Sequence, residues 1–226
     1  MLMLDIICIN GENSEVVDVK QKFANTVIWL HGLGANASDF VPIVQKLNTT
    51  NTKFIFPNAP IMPITINGGM RMRGWFDIRD MDFCNNPDIK GIESSVDIVE
   101  EIVSKEIELG LQHQDITLAG FSQGGVIALK SAIRLQTEKN LNYKSIIALS
   151  TFLPKPKIIK INSPLFFAHG EYDEIVKTNW AKDTVSALIK AGSKAYWHLY
   201  PTAHSVCDKE ITDIKDFLKQ NNYYDK

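Results

Sequence analysis

The chain has 226 residues, of which 45% are hydrophobic, and a formal net charge of −2 from 24 basic and 26 acidic side chains. This length and apolar content suffice to bury one substantial core, and they fit a single domain as easily as two. The near-neutral charge gives no sign of the clustered basic excess that accompanies nucleic-acid binding. No run approaches the roughly 18 apolar residues that span a bilayer.

The N-terminal residues and the cysteines favour a cytoplasmic location. Residues 1–6 form too short an apolar run for a secretory signal and lack a basic start. The three cysteines, Cys8, Cys84 and Cys207, cannot all pair within one chain and do not have the spacing of metal ligands. We therefore expect free thiols and a cytoplasmic protein.

Strand-like apolar runs alternate with helical patterns, which predicts an α/β fold built on a largely parallel sheet. The first two strand-like segments, residues 3–9 and 15–19, flank an Asn-Gly turn signal, so we predict an antiparallel hairpin at one sheet edge. A wholly apolar strand at residues 26–30 and a helix over residues 40–47, with Ser38 as its N-cap, come next. Further strands are predicted at residues 53–56, 115–119, 144–149, 165–168 and 195–199, and further helices over residues 92–107, 126–133, 178–189 and 210–218.

Residues 58–91 break this alternation, because they carry prolines, glycines, methionines and aromatic side chains without a clean period. A loop of this length in a compact domain is usually functional or disordered. Its apolar content argues against disorder. We therefore predict one α/β domain over residues 1–226, with an ordered excursion at about residues 58–91 that borders the active site.

The sequence Gly-Phe-Ser-Gln-Gly at residues 120–124 lies between a predicted buried strand and a predicted helix. A G-x-S-x-G pattern in this position is the signature of a nucleophile elbow, a turn so tight that its serine adopts an unfavourable backbone conformation. The glycines have no Cβ and let neighbouring backbone come close. The following helix N-terminus points free N–H groups at the reacting centre. We predict that Ser122 is the nucleophile.

A serine hydroxyl is a poor nucleophile at neutral pH and needs a base within hydrogen-bonding reach. Hydrolases with this elbow carry serine, acid and histidine in that order along the chain, and only His198 and His204 come late enough. His198 alternates with apolar neighbours inside the last predicted strand, which favours sheet packing. His204 follows that strand in a loop and is the predicted base. His31 and His169 each precede a glycine directly after a strand, at the edge where ligands bind in open α/β folds.

The acid is expected in the loop after the penultimate strand, where Glu171, Asp173 and Glu174 compete. Its task is to hold the neutral tautomer of the histidine and to stabilise the imidazolium that forms during the reaction. Asp173 is favoured because its short side chain is easily fixed and the apolar residues that follow can anchor the loop. Glu171 is the alternative.

The oxyanion of a tetrahedral intermediate needs backbone donors. One is expected from the residue after the nucleophile, Gln123, and the other from the loop after the third strand. That loop reads His-Gly-Leu-Gly at residues 31–34, and the N–H of Leu33 is the candidate. The glycines there are also explained by turn geometry alone.

Taken together, these segments resemble the carboxylesterase/phospholipase family that includes the acyl-protein thioesterases and small bacterial carboxylesterases. The matching stretches are residues 31–34, 57–60, 67–70, 75–77, 120–125, 148–150, 169–173 and 204–205. The resemblance implies a compact α/β-hydrolase fold without a large separate cap. It also implies a triad of Ser122, Asp173 and His204. Ala35 stands where eukaryotic thioesterases carry Asp, which leans towards the bacterial esterases.

The resemblance further implies that the loop containing Trp75 borders the pocket for the acyl chain. Methionine adapts to irregular apolar shapes, so Met70 and Phe76 are candidate wall residues beside Trp75. Phe152 and Leu153, just past a strand end, are further candidates. Packing of the excursion onto the domain is the alternative role for these side chains.

We predict a serine carboxylesterase that hydrolyses acyl esters through an acyl-enzyme on Ser122, without a metal or organic cofactor. The alternatives are an acyl-protein thioesterase or lysophospholipase that acts on longer acyl chains, and a non-catalytic hydrolase-like module that binds lipids or a partner. The expected partners are an acyl ester or thioester and at most a transient membrane-surface contact, with no nucleic acid. A monomer and a homodimer are both compatible with the sequence.

Overall fold

The computed structural model describes residues 6–80, 86–154 and 159–221. The strands are β1 (Ile6–Asn10), β2 (Asn25–Leu30), β3 (Thr52–Pro57), β4 (Ile61–Ile64), β5 (Met70–Arg73), β6 (Ile116–Phe121), β7 (Ser145–Leu149), β8 (Leu165–Gly170) and β9 (Ala195–Tyr200). The α-helices are α1 (Val41–Leu47), α2 (Ile89–Glu108), α3 (Gln123–Lys139), α4 (Thr178–Lys190) and α5 (Asp208–Gln220).

The main sheet has seven strands in the order β1-β3-β2-β6-β7-β8-β9. β1 runs antiparallel to β3, and the other neighbouring pairs are parallel. Helices α1 and α5 cover one face, and α2, α3 and α4 cover the other. Because both faces are covered, the central strands are continuous apolar runs rather than alternating ones. The predicted α/β fold with a mostly parallel sheet is confirmed.

The predicted N-terminal hairpin forms its turn but not its second strand. Asn10 accepts a hydrogen bond from Ser14 N at 2.9 Å, as expected for the Asn-Gly turn. Beyond the turn, the return segment makes a single bridge between Val16 and Ile9. β1 instead pairs along its whole length with β3, because that strand offers a continuous buried partner whereas Val16 stays 79% exposed. Residues 3–5 of this prediction lie outside the described residues.

The first helix begins later than predicted. Phe40 is the N-cap of α1 and makes no side-chain capping hydrogen bond. Ser38 is not the cap, because its hydroxyl and its N–H both bond to the side-chain oxygen of Asn36 in the preceding turn. Pro42 lies in the first turn of α1, where its missing N–H costs nothing.

The excursion after β3 contains an antiparallel hairpin that the sequence did not predict. β4 and β5 pair over four residues, joined by a short 3₁₀ turn at Thr65–Asn67. Only Ile64 of these two strands is fully buried, while Ile61 and Met70 are exposed. Strands this short with one poorly covered face leave no period of two in the sequence. Residues 81–85 of the excursion lie outside the described part of the chain.

A buried ion pair joins the sheet to α2 at the end away from the elbow. Lys53 Nζ lies 2.7 Å from Glu106 Oε1, and the two side chains are 0% and 1% exposed. Lys53 also donates to the carbonyls of Val19 and Gln21, and Thr26 Oγ1 donates to the second oxygen of Glu106. Lys53 thus has three polar partners and the Glu106 carboxylate has one at each oxygen, and a buried pair requires such partners.

Replacing Lys53 with Met is expected to destabilise the fold by about 3–5 kcal/mol, because it leaves the carboxylate of Glu106 buried without its partner. The measurement is the free energy of unfolding in urea. Lys46→Met is the matched control, since the Lys46–Asp208 pair is 54% and 87% exposed and such pairs contribute about 1 kcal/mol or less. Equal losses in the two variants would contradict the assigned role of the buried pair.

Among the helices of the described residues, none is both long enough and apolar enough to cross a membrane.

Candidate active site

The backbone of Ser122 is strained at the junction of β6 and α3. Its φ of 53° and ψ of −116° place a non-glycine residue in a sparsely populated region. The surrounding structure holds this conformation, because Ser122 N donates to Leu149 O at 2.9 Å and Thr151 Oγ1 donates to Ser122 O at 2.8 Å. The turn has the geometry of a nucleophile elbow, with the serine hydroxyl presented at the carboxyl ends of the strands.

The glycines around Ser122 are required by close backbone contacts. A Cβ on Gly120 would lie 2.3 Å from the backbone of Gly124, and a Cβ on Gly124 would lie 2.3 Å from Leu30 O. Neither distance is compatible with a side chain. The close approach of α3 to β6 and β2 therefore depends on glycine at both positions, and it fixes the start of α3 beside the serine.

His204 and Asp173 form a direct hydrogen bond. His204 Nδ1 lies 2.7 Å from Asp173 Oδ2, and the Asp173 side chain is fully buried. The other carboxylate oxygen accepts from the backbone N–H groups of Ile175 and Val176 at 2.9 and 2.8 Å. Burial alone would raise the pKa of Asp173, but these hydrogen bonds outweigh it and lower the pKa. The aspartate is therefore ionised and holds the imidazole with Nδ1 as donor, which leaves Nε2 as the basic nitrogen.

Of the three candidate acids, Asp173 is the one that bonds to His204. Glu171 and Glu174 are exposed, whereas Asp173 is buried between the two histidines of the site. A short side chain reaches the buried position because the loop is anchored by the N–H groups that bond its carboxylate.

The loops that carry the acid and the histidine are joined by backbone contacts. Glu171 N donates to Tyr200 O at 2.8 Å, and Tyr172 N donates to Thr202 O at 3.0 Å. Gly170 lies under the second loop, where a Cβ would be 2.1 Å from Ala203 O. The position of His204 thus depends on the absence of a side chain at residue 170.

Replacing Gly170 with Ala is expected to lower kcat by about 10- to 100-fold, since a displacement near 1 Å in a catalytic group can cost about 100-fold. The methyl group pushes the His204 loop away from the acid. The measurement is kcat for p-nitrophenyl butyrate. Gly192→Asn is the control, because Gly192 follows the C-cap of α4 with a φ of 93°, where Asn is the side chain that most often replaces glycine, and a Cβ there makes only ordinary contacts. An unchanged kcat in Gly170→Ala would contradict this account of the loop.

The ring of His169 lies next to the carboxylate of Asp173. It is fully buried, and its Nε2 lies 2.8 Å from Val176 O and 3.4 Å from Asp173 Oδ2. Its ring stacks on Trp197 with centroids 6.1 Å apart. Burial lowers its pKa, so the ring is neutral and donates from Nε2 to the carbonyl.

His31 and His198 take structural positions. His31 is buried, donates from Nδ1 to Gly32 O at 2.7 Å and accepts from Ala59 N at 3.0 Å, so its tautomer is fixed. Burial lowers its pKa. His198 stacks on Phe166 within the sheet, which agrees with the packing role favoured by its place in the strand.

Two backbone N–H groups are available as donors, one in the loop after β2 and one at the start of α3. Gly34 N and Ala35 N are engaged with carbonyl oxygens, whereas Leu33 N makes no hydrogen bond to any described residue. Gln123 N is the first donor of α3 and has no acceptor within the helix. Both Leu33 and Gln123 line the same cavity as Ser122 and His204.

The Gln123 side chain has a role that the sequence did not reveal. Its Oε1 accepts from Trp75 N at 2.9 Å, and its Nε2 donates to Phe76 O at 2.7 Å. The amide thus fixes the backbone of the excursion against the start of α3. A glutamine inside a G-x-S-x-G pattern was the only sequence signal, and its partners lie 47 and 48 residues away in the chain.

A cavity of about 690 Å³ opens beside Ser122 and His204. Of the predicted wall residues, Phe76 and Phe152 line it. Trp75 does not, because its indole Nε1 donates to His31 O and the ring is buried in the core. Met70 lies 63% exposed on β5, and Leu153 is buried in the core cluster of the α2–α4 face. Besides Phe76, the excursion contributes Ile66, Asn67 and Ile78 to the cavity wall.

The sheet is mostly parallel, and a strained serine lies between one of its strands and the following helix. A buried carboxylate bonded to a histidine lies at the same ends of the strands. These features define an α/β hydrolase of the serine type. The chain belongs to the phospholipase/carboxylesterase family, whose model matches residues 11–222. The predicted resemblance is thereby confirmed, and the protein is a serine hydrolase.

Individual relatives agree with this membership. An acyl-protein thioesterase 1 of Cryptococcus neoformans is 33% identical, covering 90% of this chain and 95% of the relative. One of Neurospora crassa is 34% identical, covering 86% of each. The crystal structure of Zea mays acyl-protein thioesterase 2 matches with a TM-score of 0.78 and 26% identity, covering 92% of this chain and 97% of that one. The lean towards bacterial esterases expected from Ala35 finds no support in these fungal and plant relatives.

Proposed function

We propose that this enzyme removes acyl groups from thioesters and esters through a covalent acyl-enzyme on Ser122. The observation that carries the proposal is the 2.7 Å hydrogen bond between His204 and the buried Asp173, at the mouth of an apolar cavity that Ser122 also lines. A bonded acid–histidine pair beside a strained serine has no evident structural purpose. It is the arrangement that activates a hydroxyl for attack on a carbonyl.

The proposed reaction has two halves. Ser122 Oγ attacks the carbonyl carbon while His204 Nε2 takes the hydroxyl proton, and the carbonyl oxygen becomes an oxyanion that accepts from Leu33 N–H and Gln123 N–H. The intermediate collapses as His204 returns the proton to the departing sulfur or oxygen. Water then attacks the acyl-serine with His204 as base, releases the carboxylic acid and restores Ser122.

The acyl chain is assigned to the part of the cavity that we call the acyl lobe, whose wall is formed by Phe76, Ile78 and Phe152. These side chains are apolar and are held by the packed excursion and the end of β7. An alkyl chain gains up to about 0.8 kcal/mol for each methylene it buries. Support for thioesters among the candidate substrates comes from the relatives named acyl-protein thioesterases at 33–34% identity.

The test is a series of p-nitrophenyl esters from acetate to octanoate, followed by an S-octanoyl thioester of a cysteine-containing peptide. We expect kcat/KM to rise with acyl length, by up to about fourfold per methylene, and the thioester to be cleaved. A series that is fastest with acetate and falls with length would contradict the proposed acyl lobe. Cleavage of the octanoate ester without any cleavage of the thioester would restrict the enzyme to esters.

A cytoplasmic place of action is also proposed. Its support is that Cys8 and Cys207 are free thiols, which persist in reducing compartments. Burial raises the pKa of the Cys8 thiol to about 11, so this cysteine is protected from reaction. The third cysteine, Cys84, lies outside the described residues.

A further inference from the structure

The cavity beside Ser122 extends over both faces of the sheet. Phe76 and Val126 line it and belong to the core cluster of the face covered by α2, α3 and α4. Ile43 also lines it but belongs to the cluster of the opposite face, covered by α1 and α5. The acyl lobe therefore accounts for only one part of the cavity, and a second part lies between α1 and α5.

The second part starts directly beside the histidine. Phe121 is the residue before the nucleophile. Its ring centroid lies 4.7 Å from that of His204 and 5.8 Å from that of Phe40. Val206 and Ile211 continue the wall along the loop after His204 and onto α5. We call the part of the cavity lined by Phe40, Ile43, Val206 and Ile211 the α1–α5 groove.

The chemistry of the reaction decides which half of a substrate this groove takes. His204 must hand its proton to the departing atom, so the leaving group has to lie on the histidine's side of the scissile bond. The acyl chain then extends to the other side, into the acyl lobe. The walls of the groove are apolar. The charged side chains that line the cavity as a whole are Lys46, which pairs with Asp208 at 2.5 Å, Asp39 and Glu174. A heavily hydrated leaving group would lose water there without gaining partners.

We propose that the α1–α5 groove is a leaving-group subsite that selects thiols and alcohols with an aliphatic substituent next to the scissile bond. The inference rests on the proposed acyl-enzyme mechanism. It predicts a substrate with apolar groups on both sides of the carbonyl, and it names Ile211 and Val206 as residues that determine specificity for the leaving group.

The test compares thioesters that share an acyl group and differ only in the thiol. S-ethyl and S-hexyl butanethioate have leaving groups of nearly equal acidity, so their intrinsic reactivity is matched, and a thiol reagent reports the product. We expect kcat/KM to be about tenfold higher for the S-hexyl compound, since four methylenes are buried at least in part. Equal values for the two thioesters would overturn the proposal.

Two variants locate the effect. Ile211→Asn is expected to lower the hexyl-to-ethyl ratio by at least threefold while the ratio of p-nitrophenyl octanoate to butyrate stays unchanged. Ile78→Asn, in the acyl lobe, is expected to do the reverse. Labelling of Ser122 by a fluorophosphonate checks that both variants are folded. If Ile211→Asn changed the acyl-length ratio instead, the groove would hold the acyl chain and the proposal would be wrong.

The same data separate this inference from the proposed function. If the enzyme cleaves none of the esters or thioesters, both the leaving-group subsite and the acyl-enzyme mechanism are overturned. If the rate depends clearly on acyl length but not on the thiol, the acyl-enzyme mechanism stands and only the leaving-group subsite is overturned.

Discussion

The Ser122→Ala enzyme is expected to fold normally and to hydrolyse esters at least about 10⁴-fold more slowly than the parent chain. The substitution removes only the hydroxyl that would form the acyl-enzyme. The backbone contacts of residue 122 to Leu149 and Thr151 remain, so the elbow keeps its shape. The residual rate is that supplied by the oxyanion donors and substrate binding. The measurement is kcat for p-nitrophenyl butyrate, with the melting temperature as a check on folding.

Ser38→Ala is the control for this variant. The Ser38 side chain is exposed in the turn before α1, bonds to Asn36 and does not line the cavity. Its loss is expected to leave kcat within twofold of the parent value. A Ser122→Ala protein that kept a tenth or more of the parent activity would mean that another group is the nucleophile.

Replacing Asp173 with Asn is expected to lower kcat by about 10⁴-fold. The amide cannot stabilise the imidazolium, and its NH₂ group facing His204 would favour the tautomer with the proton on Nε2. That tautomer cannot accept the serine proton. The fold is expected to survive, because the side-chain oxygen of Asn can still accept from Ile175 N and Val176 N. The measurement is kcat as a function of pH, compared with the parent enzyme.

Glu171→Gln is the matched control, since Glu171 was the alternative acid in the sequence and lies exposed in the same loop. Its kcat is expected to stay within threefold of the parent value. A large loss in Glu171→Gln together with a small loss in Asp173→Asn would reverse the assignment of the acid.

The residues at the centre of the site were predictable because their chemistry restricts the local sequence. The elbow needs glycines around a serine between strand and helix, and the family order places the acid and the histidine after it. The structure brings Ser122 and His204 to one cavity, with Asp173 bonded behind the histidine. Their positions follow from strand ends, which a pattern of apolar runs locates within a few residues.

The walls of the cavity were less predictable, because they depend on partners far away in the chain. Trp75 looked like a pocket residue from its loop, yet its indole N–H bonds to the carbonyl of His31 and turns the ring inwards. Gln123 looked like a backbone donor only, yet its amide also fixes Phe76. Neither contact leaves a signal in the spacing of residues.

The pairing of the edge strand β1 also depends on a partner that is distant in the chain. An Asn-Gly pair predicts a turn, and the turn forms, but the choice of partner for β1 is made by burial against β3 rather than by the turn. The local sequence therefore predicts the turn but not which strand pairs with β1.

The acyl-enzyme mechanism predicts that the acyl group can be found covalently bound to the enzyme. The parent chain is mixed briefly with p-nitrophenyl octanoate, quenched in acid and digested, and the peptides are analysed by mass spectrometry. We expect an octanoyl adduct on the peptide that contains Ser122, and no adduct in Ser122→Ala. Hydrolysis that proceeds with an adduct on a different residue, or with the Ser122 peptide never modified, would contradict the acyl-enzyme mechanism.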